Sequence, residues 1–292
     1  MKWVIFWAVC AVWTAGHVGG QTVATPPRKT TGAPAKGAKA VTSPPKAGLR
    51  GPITVNGPAF QVTAPLAAPQ PNLFIGTGGH GHTHPSAQRP FGMVQLGPDT
   101  RLEGWDGCSG YHHTDTALYG FSHTHLSGTG VSDYGDLLVV PQSGALDLRY
   151  QPLPFQHASA GDPLAEIAVP GYYSVGIPGG VRAELTASER VGRHRYWADP
   201  SRPFRVLIRM NHRDKAYDFA VRPVAAAAAS GAPASGASTS AATSAATSAA
   251  GVFRAEGHRF SRAWATRQKL FFALNASVPF VLTEPESGLF VL

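Results

Sequence analysis

YYSVGIPGGVRAELTAS, residues 172–188, sets two short apolar runs on either side of Pro178, Gly179 and Gly180. In the second run Val181, Ala183 and Leu185 fall two residues apart, the spacing that puts side chains on one face of a strand. FRVLIRM (204–210) repeats the pattern with Phe204, Val206 and Ile208. FGMVQLG (91–97), DLLVVPQ (136–142) and KLFFALN (269–275) are further apolar runs of strand length, bounded by Gly, Pro, Asp or Ser. No long segment keeps the 3.6-residue period of a helix. Short strands at this spacing predict an all-β fold, an antiparallel β-sandwich.

Outward from this core the composition changes. The chain has 292 residues, 43% of them hydrophobic, enough for one sizeable core. MKWVIFWAVCAVWTAG at the N-terminus is one lysine followed by an apolar run of about a dozen residues and then small and polar ones, which reads as a signal peptide. The run is shorter than the roughly 20 residues a spanning helix needs. Residues 1–24 are therefore expected to be a leader, and the protein to be secreted or periplasmic with no stable membrane span. Residues 25–68, rich in Pro, Ala, Thr, Gly and Lys, are expected to be a disordered linker. The sandwich is expected over 69–292, interrupted at about 224–251 by a low-complexity Ala/Ser/Thr insertion.

The net charge of +8 suggests nucleic acid until its distribution is examined. No Asp or Glu precedes Asp99, whereas eight basic residues do. Removing those eight from the 25 Lys and Arg leaves 17, against 17 Asp and Glu, so the body is neutral and no nucleic-acid partner is expected. Of the two cysteines, Cys10 lies in the expected leader. Cys108 is then alone, expected to be buried rather than disulfide-bonded.

The chemistry-bearing residues crowd into one region. Seven of the twelve histidines lie between His80 and His125: His80, His82, His84, His112, His113, His123 and His125. On a strand, His-x-His spacing would put two imidazoles on one face, as a transition-metal site requires. The plainer reading is a polar cleft with its loops tied by histidine hydrogen bonds. Among the nearby carboxylates Asp99, Glu103, Asp106, Asp115, Asp133 and Asp136, a pair could act as general acid and base in glycoside hydrolysis. Solvation and turn-capping account for most of them more simply. GTGGHGH (76–82), GWDGCSG (104–110) and SGTG (127–130) supply backbone freedom where loops fold tightly or a ligand approaches. None matches a phosphate-binding pattern, which argues against a nucleotide cofactor. Trp105 and Tyr111, set among these glycines, suit stacking on a sugar ring.

NLFIGTGGHGHTHPSAQRPFGMVQLGPDTR (72–101) and GWDGCSGYHHTDTALYGFSHTHLSGTGVSDYGDLLVVP (104–141) resemble the N-terminal domain of glycoside hydrolase family 92, the calcium-dependent exo-α-mannosidases. Weaker similarity continues through PGYYSV, 181–196 and 264–280. Two departures stand in the first block: Leu73 where the family usually has proline, and His84 where phenylalanine is usual. The resemblance implies that Trp105, Asp106, Cys108 and His112 form part of a sugar-facing wall, with the His123–Gly130 loop beside it. Domain docking is the plainer role for each, and the favoured one for His123 and His125. It also implies that the catalytic carboxylates and most calcium ligands belong to a C-terminal (α/α)6 domain that follows the sandwich. On that basis the chain is expected to be a sandwich incomplete at its C-terminal end, inactive alone, binding mannose-containing glycans and no metal of its own. Two alternatives are a free-standing carbohydrate-binding module and a histidine-dependent metalloenzyme.

Overall fold

The computed structural model describes residues 2–12, 71–128, 130–155, 165–224 and 253–292. The expected linker, residues 13–24 of the expected leader and residues 225–251 of the expected insertion lie outside the described residues.

Two antiparallel sheets face each other. The first has eight strands in the spatial order β13 (Lys215–Val224), β14 (Phe253–Arg262), β15 (Gln268–Ala276), β1 (Lys2–Val12), β11 (Val191–Ala198), β10 (Val181–Ala187), β9 (Tyr172–Ile177) and β8 (Ile167–Val169). The second has seven: β16 (Thr283–Glu286), β17 (Leu289–Val291), β12 (Phe204–Arg209), β6 (Leu138–Ser143), β5 (Gly120–Ser122), β3 (Gln95–Asp99) and β2 (Ala87–Gln88). A short ribbon of β4 (Ala117–Leu118) and β7 (Leu153–Pro154) stands apart. The fold is thus the expected all-β sandwich. The one helical element among the described residues is a 3-10 turn, Trp105–Gly107.

Period-two patterning fills the space between the sheets. Leu270, Phe272 and Leu274 of β15, Val181, Ala183 and Leu185 of β10, and Tyr196 of β11 point inward. Leu96, Phe121, Val139, Val206, Ile208 and Phe290 meet them from the second sheet. Full burial of one such aliphatic or aromatic side chain contributes about 1.5–3 kcal/mol, so this layer is the main driving force. β6 and β12 have continuous apolar runs because both their faces are covered. Leu138, Val140 and Leu207 form a second cluster on the outer face, with Leu289, Val291, Tyr119 and Leu153.

Lys2–Val12, expected to belong to a leader, is an inner strand. It pairs with β11 from Lys2↔Ala198 to Val9↔Val191 and with β15 from Phe6↔Ala276 to Val12↔Leu270. Its Val, Ile, Trp and Phe residues have the strand propensity that makes this possible. Pairing in the sheet and removal on export are separate properties of the same residues. Val224, at the edge of the expected insertion, is the last residue of β13 and pairs with Arg254. Residues 225–252 therefore connect two strands of one antiparallel ladder.

Two histidines join the sheets. Leu137's carbonyl can only accept, so His123 donates to it from Nδ1 (3.0 Å) and leaves Nε2 as an acceptor. His194 of β11 donates its Nε2–H to that atom (3.1 Å) and accepts at Nδ1 from the Tyr196 hydroxyl (2.7 Å). One of the two facing Nε2 atoms must be unprotonated for the rings to bond, and with both rings neutral every bond in the chain is made. Burial lowers both pKa values, that of His123 to about 4.

Candidate functional site

Trp105 and Asp106 are the site residues that reach the surface. Gly104, at φ 80°, admits the chain to the 3-10 turn that carries them. The indole is 64% exposed yet held on two sides. Its edge meets the His82 ring at 5.0 Å, and the backbone of Gly130 lies so close that a Cβ there would come within 2.4 Å of the indole. Only glycine permits that approach.

The turn is anchored from below by Arg213, in the loop after β12. Its guanidinium donates to the Gly107 carbonyl (2.8 Å) and to the Ser132 hydroxyl, tying the Trp105 turn to the 130–136 loop. Sequence reasoning missed Arg213. Its signal was the titratable triplet His212-Arg213-Asp214 directly after the apolar run of β12.

Asp106 faces two imidazoles. Its Oδ1 lies 2.7 Å from His80 Nδ1 and 3.2 Å from His82 Nε2. The hydrogen bond to His80, joined by that to His82 against a smaller opposing effect of burial, holds the carboxyl below its ordinary range. The expected strand placement of His-x-His is corrected here: residues 78–86 form a loop, and His82 has φ 53°, which breaks the extended alternation. The loop folds back tightly at Gly81, where a Cβ would lie 2.1 Å from the Gly76 carbonyl oxygen. His84 diverges from the other two into the interior, where its ring lies 5.0 Å from that of His125. Burial, with His125 adding to it, lowers its pKa to about 3.

Cys108 and His112 lie beneath this surface. Cys108 is buried, and burial pushes its thiol pKa up, as for an inert core cysteine. His112 donates from Nε2 to the Gly79 carbonyl (3.1 Å) and accepts at Nδ1 from the Thr114 hydroxyl (2.9 Å), so it braces the glycine loop that carries His80. His123 and His125 are interior as well, with the His125 Nδ1–H donating to the Gln95 carbonyl (2.7 Å).

Most of the nearby carboxylates are already engaged. Asp115 takes a bidentate contact from Arg101, and Asp133 accepts from the Ala265 amide (2.9 Å) and the Gln268 side chain (3.0 Å). Asp136 is paired with Arg259, which also donates to the carbonyls of Met210 (2.6 Å) and Asp214 (3.0 Å). Burial and the charge of Asp136 raise Asp214 to about 7. Asp99 is fully buried, between His125 Nε2 at 3.4 Å, His212 Nε2 at 3.5 Å and Arg213 at 4.0 Å. A glycosidase acid–base pair needs two carboxyls reaching one accessible bond, and these side chains serve the loops instead. Among the described residues one group of three His, Cys, Asp or Glu side chains has its ligand atoms within 4.8 Å: His80, His82 and Asp106. Two nitrogens and one carboxylate do not suit calcium, which takes six to eight oxygens.

The glycosyl hydrolase family 92 N-terminal domain matches residues 72–286. An "uncharacterized secreted glycosidase" of Arthroderma benhamiae is 30% identical over 125 residues, 42% of this chain and 16% of that protein. A family 92 α-mannosidase of Bacteroides thetaiotaomicron, solved with mannoimidazole, superposes with a TM-score of 0.50 at 24% identity, over 75% of this chain and 31% of its own. The chain thus spans about a sixth of the first and about a third of the second.

Proposed function

Since this chain belongs to glycoside hydrolase family 92 through that family's N-terminal domain, we propose that its Trp105 turn forms one wall of a pocket for a terminal mannose residue. The observation that carries the reading is an exposed indole immobilised beside a carboxylate. A sugar ring offers an apolar C–H face to the one and hydroxyl donors to the other. Because Trp105 is already fixed by Gly130 and His82, stacking costs little side-chain entropy. Cys108, His112 and Arg213 set the turn's height from beneath without touching sugar.

In this reading the bond-breaking carboxylates come from a helical domain outside these 292 residues, and the sandwich supplies binding and orientation. Calcium belongs to that domain too. The relative named a secreted glycosidase supports action outside the cytoplasm, and mannose-containing glycans are the partners this reading expects. Binding of α-mannobiose to the full chain, followed by calorimetry in EDTA, tests the proposal. Trp105→Ala is expected to weaken binding about two- to tenfold while leaving the folded chain intact, since stacking on an aromatic ring is worth about 0.5–1.5 kcal/mol. Equal affinity in wild type and Trp105→Ala would refute the wall assignment. Hydrolysis of a synthetic α-mannoside by the chain alone would return the chemistry to its own carboxylates.

A further inference from the structure

The glycine loop and the Trp105 turn bring together three donors, two from the loop and a third that lies more than twenty residues further along the chain. We propose that His80 Nδ1, His82 Nε2 and Asp106 Oδ1 form a binding site for a divalent first-row transition ion, with Zn2+ as the representative, at the mouth of the sugar-facing surface.

The three atoms stand near the spacing of a coordination polyhedron, and an ion would replace the proton shared between Asp106 and His80 as those two atoms move apart by about 0.6 Å. Zinc bonds to imidazole nitrogen and carboxylate oxygen at about 2.0–2.2 Å, so neighbouring ligands around a tetrahedral ion lie about 3.3 Å apart. Here the carboxylate oxygen stands 2.7 Å from one nitrogen and 3.2 Å from the other, and all three atoms lie within 4.8 Å of one another. The donor set is two borderline nitrogens and one oxygen, which favours a transition ion over calcium or magnesium.

The support around the three ligands is uneven in a useful way. His82 is buried against Trp105, and its backbone oxygen accepts from the Gly128 amide (2.7 Å), so its ring is fixed. Asp106 belongs to the turn that Arg213 anchors through Gly107. His80 stands in solvent with its side chain 80% exposed. Three protein ligands with one side open leave coordination positions for water or for an oxygen of a bound molecule. His82 makes this contact from a left-handed backbone, at φ 53°.

This goes beyond the glycan reading and stands independently of it, because the ion needs no sugar. Zn2+ titration of the tag-free full chain, stripped with EDTA and dialysed, is followed by calorimetry, and Co2+ substitution by its visible absorption. The expected result is one ion per chain, with Zn2+ binding weakened about tenfold or more in His80→Ala and in Asp106→Asn. Ca2+ is expected to compete poorly. His80 is exposed, so its variant keeps the fold, whereas His82→Ala removes a buried ring packed on Trp105; His258→Ala is expected to bind as wild type. No Zn2+ bound at micromolar concentration would overturn the proposal, as would wild-type affinity in both His80→Ala and Asp106→Asn. Glycan binding is measured separately in EDTA, so failure of one reading is distinguishable from failure of the other.

Discussion

Asp136 and Asp99 are the same residue type, both buried within the same sandwich, and their surroundings differ in kind. Asp136 has its carboxylate filled: the Arg259 guanidinium on one oxygen and the Thr124 hydroxyl on the other at 2.8 Å. Arg259 in turn has all its nitrogens committed, to Ser261 and two backbone carbonyls besides Asp136. Asp99 has no hydrogen bond to either carboxylate oxygen among the described residues. Its neighbours at 3.4, 3.5 and 4.0 Å act on it by charge, beyond good hydrogen-bonding range. The first is a bolt joining β14 to the loops before β6 and after β12. The second is a post held by the field of the groups around it, under the loops that present Trp105. Rigidity is concentrated where strands must meet, and electrostatic tuning where loops converge.

Breaking the bolt has the largest expected effect. Arg259→Ala leaves Asp136 buried without its counter-charge, a loss of about 3–5 kcal/mol. Urea denaturation followed by circular dichroism checks it, and a variant as stable as wild type would show that Asp136 is not sealed from water. Next comes acid. His84 and His123 have folded pKa values of about 3 and about 4, below the ordinary 6.5. A depressed folded pKa gives stability that is complete above 6.5 and is lost as pH falls toward the folded value. Each histidine should therefore cost about 2 kcal/mol between pH 7.5 and pH 5. His84→Phe, which fills the same space and removes the buried unpartnered Nδ1, is expected to remove about 2 kcal/mol of the acid loss and to leave the shares of His123 and His194 in place. An unchanged pH profile would mean that His84 titrates normally.

The smallest effect sharpens the comparison. Burial opposes ionisation of Asp99, but His125 and then His212 outweigh it and hold its carboxyl well below the usual range. That stability is present above the unfolded value near 3.8 and is lost as pH falls through the folded one. Asp99→Asn is expected to cost about 1 kcal/mol at pH 7 and to flatten the stability curve only below pH 4. A loss as large as that of Arg259→Ala would mean that Asp99 is a bolt as well.

Legibility in the sequence followed the range of the interactions. β9, β10, β12 and β15 were readable because alternation is local. β11 alternates equally well, with Gly192, His194, Tyr196 and Ala198 inward, but Arg193 and Arg195 on the other face hid it. β13 and β14 were missed for the same reason, their charges masking a strand in which Arg259 itself is buried. At the site, Trp105 and Asp106 stood out as an aromatic and an acid among glycines. Cys108 and His112 shared that neighbourhood, but nothing in it distinguished the surface of the turn from its underside. Arg213 was hidden because its acceptors lie 81 and 106 residues earlier.

The position of β1 also carries a clock. Lys2–Val12 precedes every other described strand in the chain, yet its two neighbours are β11 and β15, the second of which ends at Ala276. The slot it occupies is therefore complete only after β15 has been made, more than 250 residues later. Throughout that interval the apolar segment is open to whatever binds nascent chains, and the sheet competes for it last. Slowing or speeding elongation would shift which of them takes it, without changing a single residue.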